Sequence, residues 1–160
     1  MISLEFLKNV EIFQGLNNEQ LAEIIKCGEE EEFEHETRLF EKGENAAYLL
    51  IVRVGRVELR FDFAGLASSE ENTILSIPEA GAFGWSSIVP PNKYRLSGYS
   101  TGDGCKLIKV ERESLLELFE KDSDIGYMVM SKLATLVGAR FHSLQEEAAS
   151  RRGQDIMGGW

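Results

Sequence analysis

Apolar residues recur at helical spacing in the first part of the chain and then change to an alternating pattern. Between residues 4 and 28 the apolar positions fall three to four apart, which predicts helices. Asn17 stands at a helix start with Gln20 three residues later, the spacing of a capping box, and Gly28 marks the helix end. We therefore expect N-terminal helices over 4–28.

Residues 30 to 110 have the pattern of about eight short strands. Apolar residues alternate with charged ones over 57–63, as in a strand with one buried face, and the run 47–52 has strand length. The glutamate-rich segment 32–36 fits a solvent-facing edge strand, because its charges discourage pairing with another sheet. The other predicted strands cover 73–77, 95–100 and 105–110, with glycine-containing turns between several strands. Grouped strands of this kind predict a mainly β domain, an antiparallel β-roll of the double-stranded β-helix or jelly-roll type, with flanking helices.

Helical spacing returns after residue 110. Residues 111–120 predict a short amphipathic helix, and a second helix is predicted from about Ile125 to Ala149. Such a helix is ~37 Å long and outruns the roll on which it packs. Its apolar stripe therefore needs a partner, and a second copy of the chain predicts a homodimer. The stripe comprises Ile125, Val129, Leu133, Leu136, Phe141 and Leu144. We expect one domain over 1–149 and a flexible, glycine-rich tail over 150–160.

Composition narrows the classes of partner. The net charge of −10 opposes binding to nucleic-acid phosphates, and the longest basic run is Arg151-Arg152, so we expect no direct DNA binding. No apolar run is long enough to span a membrane, and residues 1–10 lack an export signal, so the predicted location is cytoplasmic. Cys27 and Cys105 are far apart without a CxxC, which favours buried, inert thiols.

The order of these elements resembles the cyclic-nucleotide-binding domain of the Crp/Fnr regulators and of the regulatory subunits of protein kinase A. The residues that carry the resemblance are the entry segment 7–16, the segments 40–44 and 48–59, and the turn with Gly81, Phe83 and Gly84. They extend over nearly the whole chain. The resemblance implies the β-roll and a non-enzymatic, ligand-sensing regulatory function.

The resemblance also implies a phosphate-binding cassette from Phe83 onward. Gly84 would let the backbone approach an anion, and residues 85–89 would form a short helix whose amides face it. Arg95 lies eleven residues after Gly84, the interval of the family's phosphate-binding arginine. A bound cyclic nucleotide or another small anion would meet that guanidinium, whereas the competing interpretation pairs Arg95 with a carboxylate of the chain. Further hydroxyl donors come from Ser86, Ser87 and Ser97.

Two cassette positions depart from the family pattern. Trp85 stands where the family has a glutamate that accepts from the ribose 2′-hydroxyl, and an indole offers one donor and no acceptor. Leu96 follows the arginine where a serine or threonine is common. Trp85 is either a platform on which a ring stacks or a plug that fills the sugar site. These departures put ordinary cAMP or cGMP affinity in question.

The resemblance places base-contacting residues at Arg140 and Phe141 of the long helix. The alternatives are a solvated helix face for Arg140 and a dimer seam for Phe141. A metal enzyme built on a β-roll would need clustered histidines, and His35 and His142 are widely separated. Haem ligation by His142 or Cys105 is a further minor alternative.

The sequence thus predicts a sensor domain that signals through a helix-paired dimer. The alternative is a ligand-free domain that has kept the roll and acts as a dimerisation or protein-docking module; Trp85 and Leu96 favour it. Regulators that it resembles usually continue from this helix into a helix-turn-helix, so the given chain either acts through an effector protein or is a fragment of a longer protein.

Overall fold

The computed structural model describes residues 1–158. Its N-terminal helices are α1 (Leu4–Leu7), a 3-10 helix (Glu11–Phe13) and α2 (Asn18–Lys26). The capping box predicted at the start of α2 is present: the Asn17 side chain accepts from the Gln20 amide, and the Gln20 side chain accepts from the Asn17 amide. These short helices cover one end of the roll.

Six antiparallel strands form the sheet, which confirms the predicted β-roll with flanking helices. They are β1 (Gly28–Phe33), β2 (Arg38–Phe40), β3 (Tyr48–Arg60), β4 (Thr73–Ile77), β5 (Ala82–Phe83) and β6 (Ser97–Glu111). The main order is β1-β6-β3-β4, with β2 on β6 and β5 on β3. Short 3-10 helices lie at Glu70–Asn72 and Trp85–Ser87.

Two pairs of predicted short strands are single long strands in the structure. At Gly55 the register of β3 against β6 shifts: Gly55 pairs with Cys105, and the next residue pairs with Thr101. Residues 102–104 are therefore a bulge within β6, where the sequence suggested a turn. Glycine at positive φ suits both interpretations, so local sequence does not separate them.

The glutamate-rich edge strand is real but begins earlier than predicted. β1 covers Gly28–Phe33 and pairs only with β6. Its charges meet lysines of the neighbouring strand: Lys106 Nζ lies 2.6 Å from Glu32, and Lys109 Nζ lies 2.7 Å from Glu31. Cross-strand ion pairs of this kind set the register and discourage edge-to-edge association.

The core is divided into two clusters, one on each side of β3. Phe13, Leu49 and Ile108 belong to a cluster between the sheet and the helices. Phe83, Val52 and Leu107 belong to a cluster inside the roll. β3 serves both clusters, because alternate side chains of a strand point to opposite faces.

Two helices follow the sheet: α3 (Arg112–Lys121) and α4 (Ser123–Met157). Asp122 caps α4 by accepting from the amides of Asp124 and Ile125. The predicted end near Ala149 was wrong, since the helix continues to Met157 through the segment expected to be a tail. Its exposed side chains include the Arg151–Glu147 pair at helical spacing. Residues 159 and 160 of that expected tail lie outside the described residues. No helix in the described chain is long and apolar enough to cross a membrane.

The apolar stripe of the long helix is buried in its first half and exposed in its second half. Ile125, Val129 and Leu133 are buried in the chain's own core beside α3 and the N-terminal helices. Phe141 and Leu144 are 61% and 36% exposed. The prediction that the whole stripe needs a partner chain was therefore wrong for its first half, which is buried within the same chain.

Arg60, whose alternation with apolar neighbours predicted an exposed side chain, is fully buried. Its guanidinium donates to both carboxylate oxygens of Glu36 at 3.0 Å and to Glu58 at 2.6 Å. The group also lies 4.6 Å from the Tyr99 ring centre. These hydrogen bonds, first the one that Glu36 accepts, raise the pKa of Arg60. A buried cation is thus matched by two carboxylates, Glu58 on the same strand and Glu36 in the turn between β1 and β2.

Removing the Arg60 guanidinium should destabilise the roll strongly. We expect Arg60→Ala to lower the free energy of unfolding by about 3 kcal/mol, because two carboxylates lose their buried counter-charge. Urea denaturation followed by circular dichroism measures this change. Arg56→Ala is the matched control, since Arg56 is exposed on the same strand, and it should change stability little. Equal stability of both variants would contradict the role given to the buried group.

Stability should also depend on the charge of Glu36. The hydrogen bond from Arg60 lowers the pKa of the Glu36 carboxyl below its ordinary value. The carboxylate therefore stabilises the folded state above pH ~4.3, and this stabilisation is lost as the pH falls through its folded pKa. Glu36→Gln should destabilise the protein at pH 7 and less so at pH 3, as measured by urea unfolding at each pH. Glu79→Gln, at an exposed position, should show no such difference. A pH-independent effect of Glu36→Gln would disprove this assignment.

Candidate functional site

A pocket of about 290 Å³ lies between the cassette, β4 and the second half of α4. Seven of the residues that the sequence assigned to a ligand line it: Gly84, Trp85, Ser86, Arg95, Leu96, Arg140 and Phe141. The other lining residues are Phe40, Leu59, Ile74, Leu75, Tyr94, Val137 and Leu144. Residues more than fifty positions apart in sequence therefore share one cavity.

The cassette begins where β5 pairs with β3. Phe83 lies opposite Leu50, and its side chain is buried in the inner core cluster. Gly84 follows with φ +73°, a conformation that favours glycine. A Cβ at this position would lie 3.0 Å from the Tyr48 carbonyl oxygen, so the backbone approach also depends on glycine.

The short helix after Gly84 is smaller than expected. It covers Trp85–Ser87, not 85–89, and has 3-10 geometry. The amides of Ser87 and Ile88 donate to the carbonyls of Gly84 and Trp85. These two amides are therefore used within the turn and do not face the pocket as free donors.

Arg95 lies in a bend just before β6, not inside a strand as predicted. Its side chain is exposed at the pocket, and within residues 1–158 it has no carboxylate at ion-pair distance. The competing interpretation, in which a neighbouring carboxylate pairs with Arg95, therefore finds no support in the geometry. An unpaired guanidinium on an apolar cavity can bind an anion with two parallel hydrogen bonds.

Trp85 forms part of the pocket wall. The indole is half-buried and packs against the core cluster of the N-terminal helices, together with Ile88. It also lines the pocket, which retains its volume beside the ring. The geometry therefore resembles a platform more than a complete plug.

Tyr94 and Phe40 form a second aromatic wall that the sequence did not identify. Their rings stack with centroids 3.8 Å apart and planes 18° from parallel. The Tyr94 hydroxyl donates to the Tyr48 carbonyl at 3.3 Å, so its polar end is already bonded. Burial raises the pKa of Tyr94 to about 12, which keeps the ring neutral. No local sequence signal marks this stack, since it joins two segments that are far apart in the chain.

α4 closes the pocket on the side facing the cassette. Arg140 donates a hydrogen bond to the carbonyl of Ala82 on β5. Burial lowers the pKa of the Arg140 guanidinium, and nearby Glu11 partly opposes this effect. Arg140 lines the pocket, but it is not simply a solvated side chain or a free ligand contact. Its hydrogen bond connects α4 to the strand that precedes Gly84. Phe141, next to it, lies at the rim.

Three of the assigned residues lie outside the pocket lining. Phe83 is a core residue, and the Ser97 hydroxyl accepts from the Lys42 amide at 3.0 Å. Ser87 is fully buried, and its hydroxyl has no hydrogen-bond partner among residues 1–158. Neither alternative ligand for iron lines the pocket: His142 is exposed and pairs with Glu146, and Cys105 is buried in the inner core cluster, where burial raises the pKa of its thiol to about 11.

The pocket is cationic and apolar. None of its fourteen lining residues, all within the described chain, is acidic, and two are arginines. Its polar groups are otherwise limited to the Ser86 hydroxyl, the bonded Tyr94 hydroxyl, the indole N–H and backbone atoms. This arrangement suits binding and positioning of an anion.

Comparison with known proteins gives a clear answer for the fold. No protein-family model matches the sequence. No curated protein matches it either. Solved structures do match: a putative cyclic nucleotide-binding protein from Geobacter metallireducens GS-15 has 29% sequence identity and a TM-score of 0.75. That match covers 89% of this chain and 100% of the other.

Two further structures extend the likeness. A cyclic nucleotide-binding domain from Methylobacillus flagellatus KT has a TM-score of 0.77 at 19% identity, covering 92% of this chain and 81% of the other. The catabolite activator protein of Thermus thermophilus has a TM-score of 0.72 at 20% identity over 89% of this chain. Our chain spans 63% of the length of that protein. The chain therefore has the fold of the solved cyclic-nucleotide-binding domains, including that of a catabolite activator protein, as its sequence predicted.

Proposed function

We propose that this chain is a non-enzymatic sensor domain that binds a small anion in the cassette pocket and transmits binding through α4 to a second copy of itself. The observation that carries this proposal is the exposed guanidinium of Arg95, which lines the pocket without a partner in the described chain. A cyclic nucleotide is the ligand that the fold suggests first. The predicted cytoplasmic location and an effector protein partner are part of the proposal.

The pocket is in direct contact with α4, the helix through which binding would be transmitted. Val137, Arg140 and Phe141 on α4 line the pocket, so an occupant contacts the helix directly. Arg140 is also bonded to Ala82, which precedes the cassette glycine by two residues. A ligand that contacts both cassette and helix has different affinities for different helix positions, and this difference shifts their populations.

The dimer surface is a seam along α4, and the middle of this seam also borders the pocket. Exposed or half-exposed apolar residues recur there at alternating steps of three and four, as in a coiled coil. We define the seam as Tyr127, Met130, Ala134, Val137, Phe141, Leu144 and Ala148. Tyr127 is 76% exposed, which a partner helix would relieve. Val137, Phe141 and Leu144 belong to both seam and pocket, so pairing and ligand binding share side chains.

The rival function, a ligand-free dimerisation or docking module, has one observation in its favour. Trp85 packs on the core and Arg140 donates to the Ala82 carbonyl, so contacts within the protein alone join cassette and helix. The two functions share the dimer and differ in whether the pocket binds anything. Ligand titration separates them.

Replacing Arg95 should abolish anion binding without unfolding the domain. Fluorescence of Trp85 in a Trp160→Phe background reports on the pocket wall during titration with cAMP, cGMP and inorganic phosphate. We expect a saturable change with at least one of these anions that Arg95→Ala removes, because the charged hydrogen bonds are lost. Arg56→Ala, an exposed arginine outside the pocket, should bind as the parent does. Unchanged binding by Arg95→Ala would refute the role of this residue.

A charge within the seam should separate the dimer. Ala134 and Ala139 are both exposed on α4, and Ala139 lies on the side of the helix opposite the seam. We expect a dimer for the parent and for Ala139→Glu, and a monomer for Ala134→Glu, because two carboxylates would meet in an apolar interface. Light scattering coupled to size-exclusion chromatography measures the mass. A monomeric parent, or a dimeric Ala134→Glu, would contradict this seam.

A further inference from the structure

We propose that the preferred ligand is an apolar monoanion: a compact aromatic or branched hydrocarbon body with a single carboxylate, rather than a nucleotide. This inference rests on the proposed function, since it concerns the chemistry of the same pocket. Three properties of the lining carry it: the lack of carboxylate and amide acceptors among its side chains, the extent of apolar wall and the arrangement of positive charge.

The pocket offers poor partners to sugar hydroxyls. None of its lining residues is acidic, and none is an amide. Trp85 occupies the start of the turn after Gly84 and brings a donor without an acceptor. Each hydroxyl buried without a partner costs about 1–3 kcal/mol, which would weaken binding of a ribose ring.

Apolar side chains line the cavity from three sides. Leu59 and Leu75 face each other across the β3–β4 pair, and Ile74 lies beside them. The Tyr94–Phe40 stack, Trp85 and Leu96 form the cassette side. Val137, Phe141 and Leu144 come from α4. Walls of this composition stabilise a hydrocarbon or aromatic body by ~25 cal/mol for each Å² of apolar surface removed from water.

The two arginines are not equivalent, which indicates a single negative charge on the ligand. Arg140 is held by the Ala82 carbonyl, whereas Arg95 has no side-chain partner in the described chain. One free guanidinium matches one carboxylate in a bidentate geometry. A second negative charge would lie in a largely apolar cavity. The other cation there, Arg140, already donates to the Ala82 carbonyl.

The size of the cavity agrees with a compact ligand. Its volume of about 290 Å³ lies at the lower end of the roughly 300–1,000 Å³ typical of small-molecule sites. A fused bicyclic carboxylate is a suitable probe, because it fills such a space with ring surface and leaves its charge at one end. The uncharged alcohol with the same rings tests the charge separately.

Isothermal titration calorimetry on the full chain tests the proposal with 2-naphthoate, 2-naphthalenemethanol, cAMP and inorganic phosphate. We expect 2-naphthoate to bind at least tenfold more tightly than each of the other three, equivalent to about 1.4 kcal/mol. Arg95→Ala should reduce 2-naphthoate affinity at least tenfold and leave that of the alcohol unchanged. Arg56→Ala should leave both affinities unchanged.

The outcomes distinguish this inference from the function on which it rests. If cAMP or phosphate binds in an Arg95-dependent manner and 2-naphthoate binds no better, the inference is overturned and the sensor function stands. If none of the four probes binds, both fail and the scaffold function is favoured. If acid and alcohol bind equally, the pocket is a hydrophobic cavity without charge recognition, and the inference fails.

A substitution at Trp85 provides an independent test. Trp85→Glu introduces the missing acceptor and a negative charge, so it should weaken 2-naphthoate binding and increase the affinity for cAMP relative to it. Trp85→Phe keeps an aromatic wall and should retain the preference of the parent. Urea unfolding of both variants identifies any loss of binding caused by loss of the core contact of the indole. An unchanged preference in a folded Trp85→Glu variant would overturn the proposal.

Discussion

The first half of α4 is fixed in the core, and the helix side of the pocket depends on this attachment. Ile125 and Val129 have no exposed surface, and Asp122 caps the helix start. Gly126 allows close approach, since a Cβ there would lie 3.0 Å from the Phe119 side chain. Because a helix is stiff, fixing its first turns directs the later ones across the opening of the roll. Packing at the start of α4 therefore determines where its second half forms the pocket wall and the seam.

Most of the fold could be predicted from periodicity, because burial repeats with the geometry of each element. The change from helical to alternating spacing near Gly28 and back near residue 111 locates the roll, and Asn17 with Gln20 locates a helix start. The strand count was harder, since a glycine at positive φ can make either a turn or a bulge. Arg60 could not have been assigned to the interior, because its burial depends on Glu36, 24 residues away in sequence.

The site was predictable only as far as its chemistry is local. The spacing of Gly84 and Arg95 identified the cassette, and counting along α4 brought Arg140 and Phe141 to the same cavity. The Tyr94–Phe40 stack had no local signal, since it depends on contacts between distant segments. Ser97 was misjudged for the opposite reason: its hydroxyl is occupied by the Lys42 amide, a partner from another part of the roll.

Long-range pairing of β3 with β6 keeps these separate pieces in register. Their pairing extends from Tyr48, opposite Glu111, to Arg60, opposite Ser97. β5 adds to β3 near Leu50, and so the cassette is attached to one of the two long central strands of the sheet. A site placed on such a strand has a firm base, whereas the wall contributed by α4 is attached mainly at one end.

The length of α4 makes it a lever arm. The helix extends sixteen residues beyond Phe141, to Met157; this corresponds to ~24 Å, so that a tilt of about 5° at the pocket moves the tip by roughly 2 Å. A displacement too small to disturb the roll would therefore be magnified at the far end of the rod. A partner bound to that end would therefore be displaced further than the residues at the pocket.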